Sequence, residues 1–170
     1  MFYVLCKNLI CLIGGFVQVF VRTKIWDTIH QFSDRTPLAD IDVIYYDCLE
    51  ISEEKEKLLE ERLEQINPNL PWSVKNQARM HVLNNFPQYT SSIDGMAHFP
   101  ETATALGVML KHDGTIVLAA PWGIEDAVSL EVKPTPYFAK GETNRQIYEA
   151  RVKKKNWQSV WKKLRINEIQ

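Results

Sequence analysis

Asp40 and Asp42 stand two residues apart in the run TPLADIDVIYYD. Acid and aliphatic residues alternate there and give way to aromatics, which predicts a strand over residues 40–47. Residues two apart on a strand point to one face. Ile41 and Val43 would then turn to the core while the two carboxylates project together. Carboxylates so close repel each other, and a divalent cation relieves the repulsion. Mg²⁺ (or Mn²⁺) suits one or two carboxylates plus substrate phosphates. The competing reading of a bare Asp-x-Asp is a solvated edge strand, or a pair neutralised by Arg22 or Arg35.

A second feature gives the acids a context. Gly14 and Gly15 precede VRTKIWDTIH, where Val21, Ile25, Trp26 and Ile29 fall on one face of a helix. A glycine turn at a helix N-terminus offers free backbone N–H groups to phosphate. Glycine turn, helix and paired acids would set a triphosphate beside a metal, which nucleotidyl transfer requires. On its own, Gly-Gly is an ordinary tight turn. The same stretch, IGGFVQVFVRTKIWD, carries a near-echo: Phe16-Val17-Gln18-Val19 is followed by Phe20-Val21-Arg22-Thr23.

The chain around these residues has 170 residues, enough for one domain over residues 1–170 with a proper core. A net charge of −1 excludes a global bias toward nucleic acid or anionic membrane. Cys6, Cys11 and Cys48 form no C-x-x-C pair, which fits a reducing, cytoplasmic setting and argues against disulfides or zinc. Cys48 is expected to be a small buried hydrophobe. Near the start, Lys7, Asn8 and Gln18 interrupt the apolar residues. The clean stretch falls well short of the ~20 residues of a spanning helix. No small-residue cleavage site follows, so the expectation is core structure after a short segment at residues 1–12, with no membrane partner.

Further elements follow from local signals. Ser52 is a plausible N-cap for SEEKEKLLEERLEQI, with Leu58, Leu59, Leu63 and Ile66 as its apolar face and the charge run as its solvated face. PWSVKNQARMHV reads as a strand, or a strand with a helical start; on a strand Arg79 and His81 would share a face. TATALGVML and TIVLAAP flank His112-Asp113-Gly114, and Asp-Gly predicts a two-residue hairpin turn. Residues 127–134 read as another short strand. Residues 142–170 hold a basic C-terminal helix with Trp157, Trp161 and Leu164 at helical spacing. Its lysines are expected to be solvated while its tryptophans pack; a phosphate or nucleic-acid strip is the less favoured reading. The fold class predicted is α+β, a small mixed β-sheet with flanking helices.

Taken in order, VRTKIWDTIH, TPLADIDVIYYD, PWSVKNQARMH, FPETATALGV, APWGIEDAVSLEVKPTP and a closing R…K-x-W-x-x-x-W resemble a bacterial family of small nucleotidyltransferases. That family belongs to the DNA polymerase β-like nucleotidyltransferase superfamily, and the resemblance spans roughly residues 13–165. It implies a polymerase β-like core, an NTP donor and a hydroxyl acceptor that it does not identify. It also implies that Asp40 and Asp42 are the catalytic metal-binding pair. Gly14 and Gly15 match the glycine turn, and Arg22 matches a basic residue on the following helix, with Thr23 where the family has Asn. Lys75, Asn76, Arg79 and His81, then Glu101, Thr102 and Thr104, then Gly123 and Asp126 match segments without an assigned role.

Two departures bear on activity. The superfamily has a third carboxylate on the next core strand; here that strand offers Asn76, a poorer metal ligand that cannot act as a base. Asp94, Glu101 or Asp126 are the other candidates for that position. The family also places its arginine about three residues after the last glycine, whereas Arg22 comes seven after Gly15. The echo resembles a four-residue insertion, about one helical turn and ~6 Å; a rival alignment puts Gln18 in the arginine slot. The expected function is Mg²⁺-dependent nucleotidyl transfer from an NTP to a hydroxyl, with Arg22 or Arg79 neutralising developing charge. The alternatives are a nucleotide-binding protein with impaired catalysis, and an interaction module using the basic tail.

Overall fold

The computed structural model describes residues 15–111 and 113–168. Among them, five strands form one mixed sheet: β1 (Phe16–Val17), β2 (Ile41–Tyr45), β3 (Trp72–Asn76), β4 (Gly107–Leu110) and β5 (Ile116–Ala119). Their order is β3-β2-β1-β4-β5, with β2 and β3 parallel and the other neighbours antiparallel. The helices are α1 (Val19–Ile29), α2 (Glu53–Ile66), α3 (Gln77–Asn84), α4 (Ser92–Ala97), α5 (Glu125–Val128) and α6 (Glu142–Lys155). A separate parallel pair joins β6 (Glu131–Val132) to β7 (Arg165–Ile166).

Strand alternation divides the sheet into two faces. Val17, Ile41, Val43, Tyr45, Trp72 and Val74 pack with Leu59 and Leu63 of α2. Phe16, Ile44 and Ala119 point the other way and pack with Met96 of α4 and with Ala105. A further core gathers Trp26 of α1 with Trp157, Trp161 and Leu164. Trp26 is fully buried and donates its indole N–H to the Ala127 carbonyl at 3.1 Å. Beside it, Asp27 accepts from the Trp161 indole at 2.8 Å and from both the N–H (3.0 Å) and the hydroxyl (2.6 Å) of Thr36. The Trp-Asp pair of α1 thereby anchors the loop that delivers the chain into Asp40.

The predicted strand at 40–47 and the helix at 21–30 are present, and Ile41 and Val43 are buried. Ser52 caps α2 by accepting from the Lys55 N–H at 3.3 Å. The apolar face of α2 differs from the expected one, because Leu58 and Ile66 are exposed. Glu56 and Glu60 are buried in their stead, and geometry supplies the reason. β3 is an edge strand whose outward N–H groups at Val74 and Asn76 have no strand to bond. Glu60 accepts from Val74 N–H and Glu56 from Asn76 N–H, both at 2.9 Å. Four residues of helix rise ~6.0 Å and two of strand ~6.6 Å, so an i, i+4 carboxylate pair matches an i, i+2 amide pair. The helix thus covers an edge that would otherwise be open to pairing with another chain.

Other local differences have equally local causes. The segment after β3 is α3, not strand, because the Asn76 side chain accepts from the Ala78 N–H and caps it; Arg79 and His81 are helical. The hairpin closes through the Lys111 N–H to the Thr115 carbonyl, with Gly114 at φ 85°, so its loop is longer than two residues. Of residues 127–134 only β6 is strand, preceded by α5. The basic helix stops at Lys155, where Asn156 turns left-handed at φ 44°; a 3₁₀ turn at Trp157–Ser159 and β7 follow. Cys48 is exposed, not buried. No helix of the described residues is long and apolar enough to cross a membrane.

Removing the Glu56 side chain strands both the Asn76 N–H and the Arg79 guanidinium. Glu56→Ala is expected to cost about 3–5 kcal/mol in urea unfolding, whereas Glu54→Ala, on the exposed side of the same helix, leaves the midpoint unchanged.

Candidate active site

The two copies of the Phe-Val echo take different structures. Phe16-Val17 is β1, and Phe20-Val21 lies in the first turns of α1. The first copy thus stands in the sheet ahead of the helix and the second within the helix. Gly14 lies outside the described residues. Gly15 precedes β1 and lies against β2, where a Cβ would come within 2.6 Å of the Ile44 carbonyl oxygen. It serves close strand approach and does not stand at the helix N-terminus. The residue at that N-terminus is Gln18, the N-cap of α1, which forms no side-chain cap bond.

β1 fixes what lies beside the acids. Val17 is opposite Val43, and Gln18 continues the pairing by donating its N–H to the Asp42 carbonyl at 3.0 Å. Asp42 is in turn opposite Ser73 on β3. On the other side Val17 is opposite Val108, which brings Gln18 alongside Gly107; a Cβ at Gly107 would lie 3.5 Å from Gln18 Cγ and 2.9 Å from the Met96 methyl. One row across the sheet therefore reads Ser73, Asp42, Gln18, Gly107. It continues the face that holds Ile44 and Phe16.

Burial, and then the charge of Asp40, push the Asp42 carboxyl above its ordinary value; the Ser73 hydroxyl and the charges of Lys155 and Arg151 act against them. The acid pair thus lies together as the sequence predicts, and α6 brings two cations to it. Arg151 and Lys155 are i, i+4 on that helix and share a face.

Arg22 is the third cation. Its guanidinium is stacked over Trp26 at 5.0 Å and over Trp157 at 5.1 Å. Burial lowers its pKa to about 10, with Glu101, Asp40 and Asp42 pulling upward and Arg151 downward. It is 8% exposed, and its Nε has no hydrogen-bond partner.

The remaining predicted site residues are committed elsewhere. Asn76 is fully buried: its amide donates to the carbonyls of Asp47 (2.7 Å) and Glu50 (2.9 Å), and its oxygen accepts from Asp47 N–H at 3.0 Å. It holds a turn and has no capacity left for a metal. Arg79 forks onto Glu56 through Nε (3.1 Å) and Nη2 (2.6 Å), away from any phosphate role at the acid pair. Asp94 accepts from the N–H and hydroxyl of Thr90. Asp126 takes Lys133 at 2.7 Å and Thr102 at 2.7 Å. Glu101 is fully buried, accepting from Arg151 Nε at 2.8 Å and from the Thr104 hydroxyl at 2.7 Å. It holds Arg151 by Nε, leaving the terminal nitrogens of the guanidinium for another partner. No cluster of three His, Cys, Asp or Glu groups suited to a metal occurs among the described residues.

Sequence reasoning did not place Arg151, Lys155 or Ser73 beside the acids, and named Gln18 only as a rival for the arginine slot. The signal for the first two was the i, i+4 basic pair inside the closing motif. Gln18 carried a weaker one, a polar residue in an apolar run leading into α1.

A mixed sheet with flanking helices, with Asp40 just before β2 and Asp42 on it, fits a nucleotidyltransferase of the polymerase β-like class. Comparison with known proteins agrees: the nucleotidyltransferase family model matches residues 8–166, and the chain belongs to that family. A solved structure described as an NMR structure revealing a CCA-adding enzyme head domain is similar with a TM-score of 0.85 and 34% identity. The match covers 97% of this chain and 88% of that one. A search of the curated proteins finds no match.

The raised Asp42 pKa has a definite consequence for stability. The folded state holds this proton more tightly than the unfolded chain, so stability falls as pH rises from the ordinary value of 3.8 through the raised folded value. Above that window the ionised carboxylate is a constant penalty. Asp42→Asn is expected to raise Tm at pH 7, with the gain vanishing below about pH 3.8 in melts followed across pH.

Proposed function

We propose that the protein transfers a nucleotidyl group from an NTP to a hydroxyl acceptor, with a divalent cation held at Asp40 and Asp42. The observation that carries this reading is the meeting of an acid pair with Arg22, Arg151 and Lys155. Acids that resist joint ionisation accept a cation, and cations beside them accept a polyphosphate. Mg²⁺ requires only one or two carboxylates when phosphates complete its shell, so the residues present fit it. When bound, such a cation neutralises charge on the phosphates and polarises the reacting phosphoryl group.

The chain's own residues do the positioning. Arg151, fixed by Glu101, and Lys155 face the triphosphate from α6, while Arg22, seated against the Trp26 and Trp157 rings, supplies charge at fixed depth. The acceptor hydroxyl oxygen bonds to the α-phosphorus and its proton passes to solvent, the α–β phosphoanhydride bond breaks, and pyrophosphate leaves with that electron pair. Arginines already in place need little rearrangement as charge develops. The cytoplasmic location expected from cysteine usage fits an NTP donor.

A second reading, nucleotide binding with impaired transfer, is favoured by Asn76, which is fully hydrogen-bonded where the superfamily has a third acid. The similar structure is described as a CCA-adding head domain, so an oligonucleotide hydroxyl belongs among the acceptors tested.

Calorimetric titration with Mn²⁺ and each NTP tests the proposal. Wild type is expected to bind at least one NTP in a metal-dependent way, and Asp40→Asn with Asp42→Asn to abolish the metal dependence. Arg151→Ala and Lys155→Ala are each expected to weaken binding tenfold or more, about 1.5–3 kcal/mol for a hydrogen bond to a charged group. Absence of metal-dependent binding by wild type defeats both readings. Binding without pyrophosphate release across hydroxyl acceptors selects the second.

A further inference from the structure

Gln18 is 2% exposed, and neither its Oε1 nor its Nε2 has a hydrogen-bond partner. Buried side-chain amides are nearly always bonded, because an unpaired one forfeits its hydration without return. Packing offers no reason for this residue type. Its Cγ lies 3.5 Å from where a Cβ on Gly107 would stand, a spot also bounded by the Met96 methyl and Phe16 Cβ, and an apolar side chain of equal length would serve there. On the remaining side lies Asp42, whose carbonyl takes the Gln18 N–H. The residue also opens α1, whose first N–H groups are directed past it.

We infer that the Gln18 carboxamide is a ligand-contacting group beside Asp42, reserved for the phosphate chain of the metal-bound substrate. This inference rests on the function proposed above. A carboxamide offers one acceptor and two donors. A polyphosphate supplies oxygens to accept from Nε2, and the hydration shell of a divalent cation supplies O–H groups for Oε1. No single ribose or base contact is needed to satisfy both ends. The free N–H groups at the start of α1 add attraction for the same anion. On this account Gln18 takes over, with a side chain, part of the task that a glycine turn at the helix N-terminus performs with backbone. Phe16, Val17 and Gln18 separate Gly15 from the first residue of α1, so the glycine cannot serve that N-terminus and Gln18 stands there instead.

Gln18→Met keeps the length of the side chain and removes both polar ends. It is expected to raise Tm in the absence of ligand, because an unpaired amide leaves the interior, and to weaken binding of Mn²⁺–tripolyphosphate about tenfold. Gln18→Glu places a third carboxylate beside the pair. It is expected to lower Tm without metal and to bind Mn²⁺ alone more tightly than wild type, read by calorimetry and by the metal-induced rise in Tm. Unchanged tripolyphosphate affinity in Gln18→Met overturns the inference, as does a loss confined to NTPs, which would assign the amide to base or ribose. Unchanged Mn²⁺ affinity in Gln18→Glu overturns it as well. If wild type itself binds neither Mn²⁺–tripolyphosphate nor any Mn²⁺–NTP, the proposed function fails, and this inference with it; wild-type binding with indifferent Gln18 variants defeats this inference alone.

Discussion

Burial and the charge of Asp40 both oppose ionisation of Asp42, and much of the surrounding architecture either creates that conflict or answers it. The conflict arises because β2 lies inside the sheet, with β3 on one side and β1 on the other. Asp42 is half-buried there, with a neighbouring strand on each side. The answer comes from elements distant in sequence: Arg22 on α1, and Arg151 and Lys155 on α6. None of them forms a tight ion pair with the acids. Their charges act on the carboxylates without a direct ion pair to them.

Other contacts hold these cations and the loop before Asp40 in place. Trp26 and Trp157, packed edge to face, seat the Arg22 guanidinium against both rings, and Glu101 holds Arg151 by Nε. Asp27 binds Thr36 and Trp161, tying the loop before Asp40 to the last tryptophan core. At the edge of the sheet next to β2, Glu56 and Glu60 occupy the free N–H groups of β3 and keep Arg79 and Lys75 to themselves. Charge is thus partitioned. One set of acids and bases closes an edge, and another is left open to ligand.

What the sequence made legible was local. The acid-aliphatic alternation of β2, the Ser52 cap, the apolar stripe of α1 and the hairpin between β4 and β5 each rest on near neighbours, and each is present. The ordered motifs also led to the correct family and fold class. The parts that were not legible depend on long-range placement. Glu56 and Glu60 lie in a run of charges that reads as solvated, and only the register of α2 against an edge strand buries them. Phe16-Val17 and Phe20-Val21 are the same dipeptide, yet pairing with β2 and β4 makes the first a strand. Asn76 looked like a weakened metal ligand because its hydrogen bonds to Asp47 and Glu50 close through a turn 26 to 29 residues away. Arg151 and Lys155 were hidden in a basic run whose other lysines face solvent.

The central claim is that Asp40 and Asp42 together hold a divalent cation. The most direct measurement is the pH dependence of the Asp42 carboxyl ¹³C shift, followed by NMR with and without Mg²⁺. Without metal, the account predicts a titration midpoint above the ordinary carboxylate value of 3.8. Added Mg²⁺, by competing with the proton, should pull that midpoint down, and Asp40→Asn should remove most of both effects. A midpoint at the ordinary value, or one that Mg²⁺ leaves in place, would contradict it.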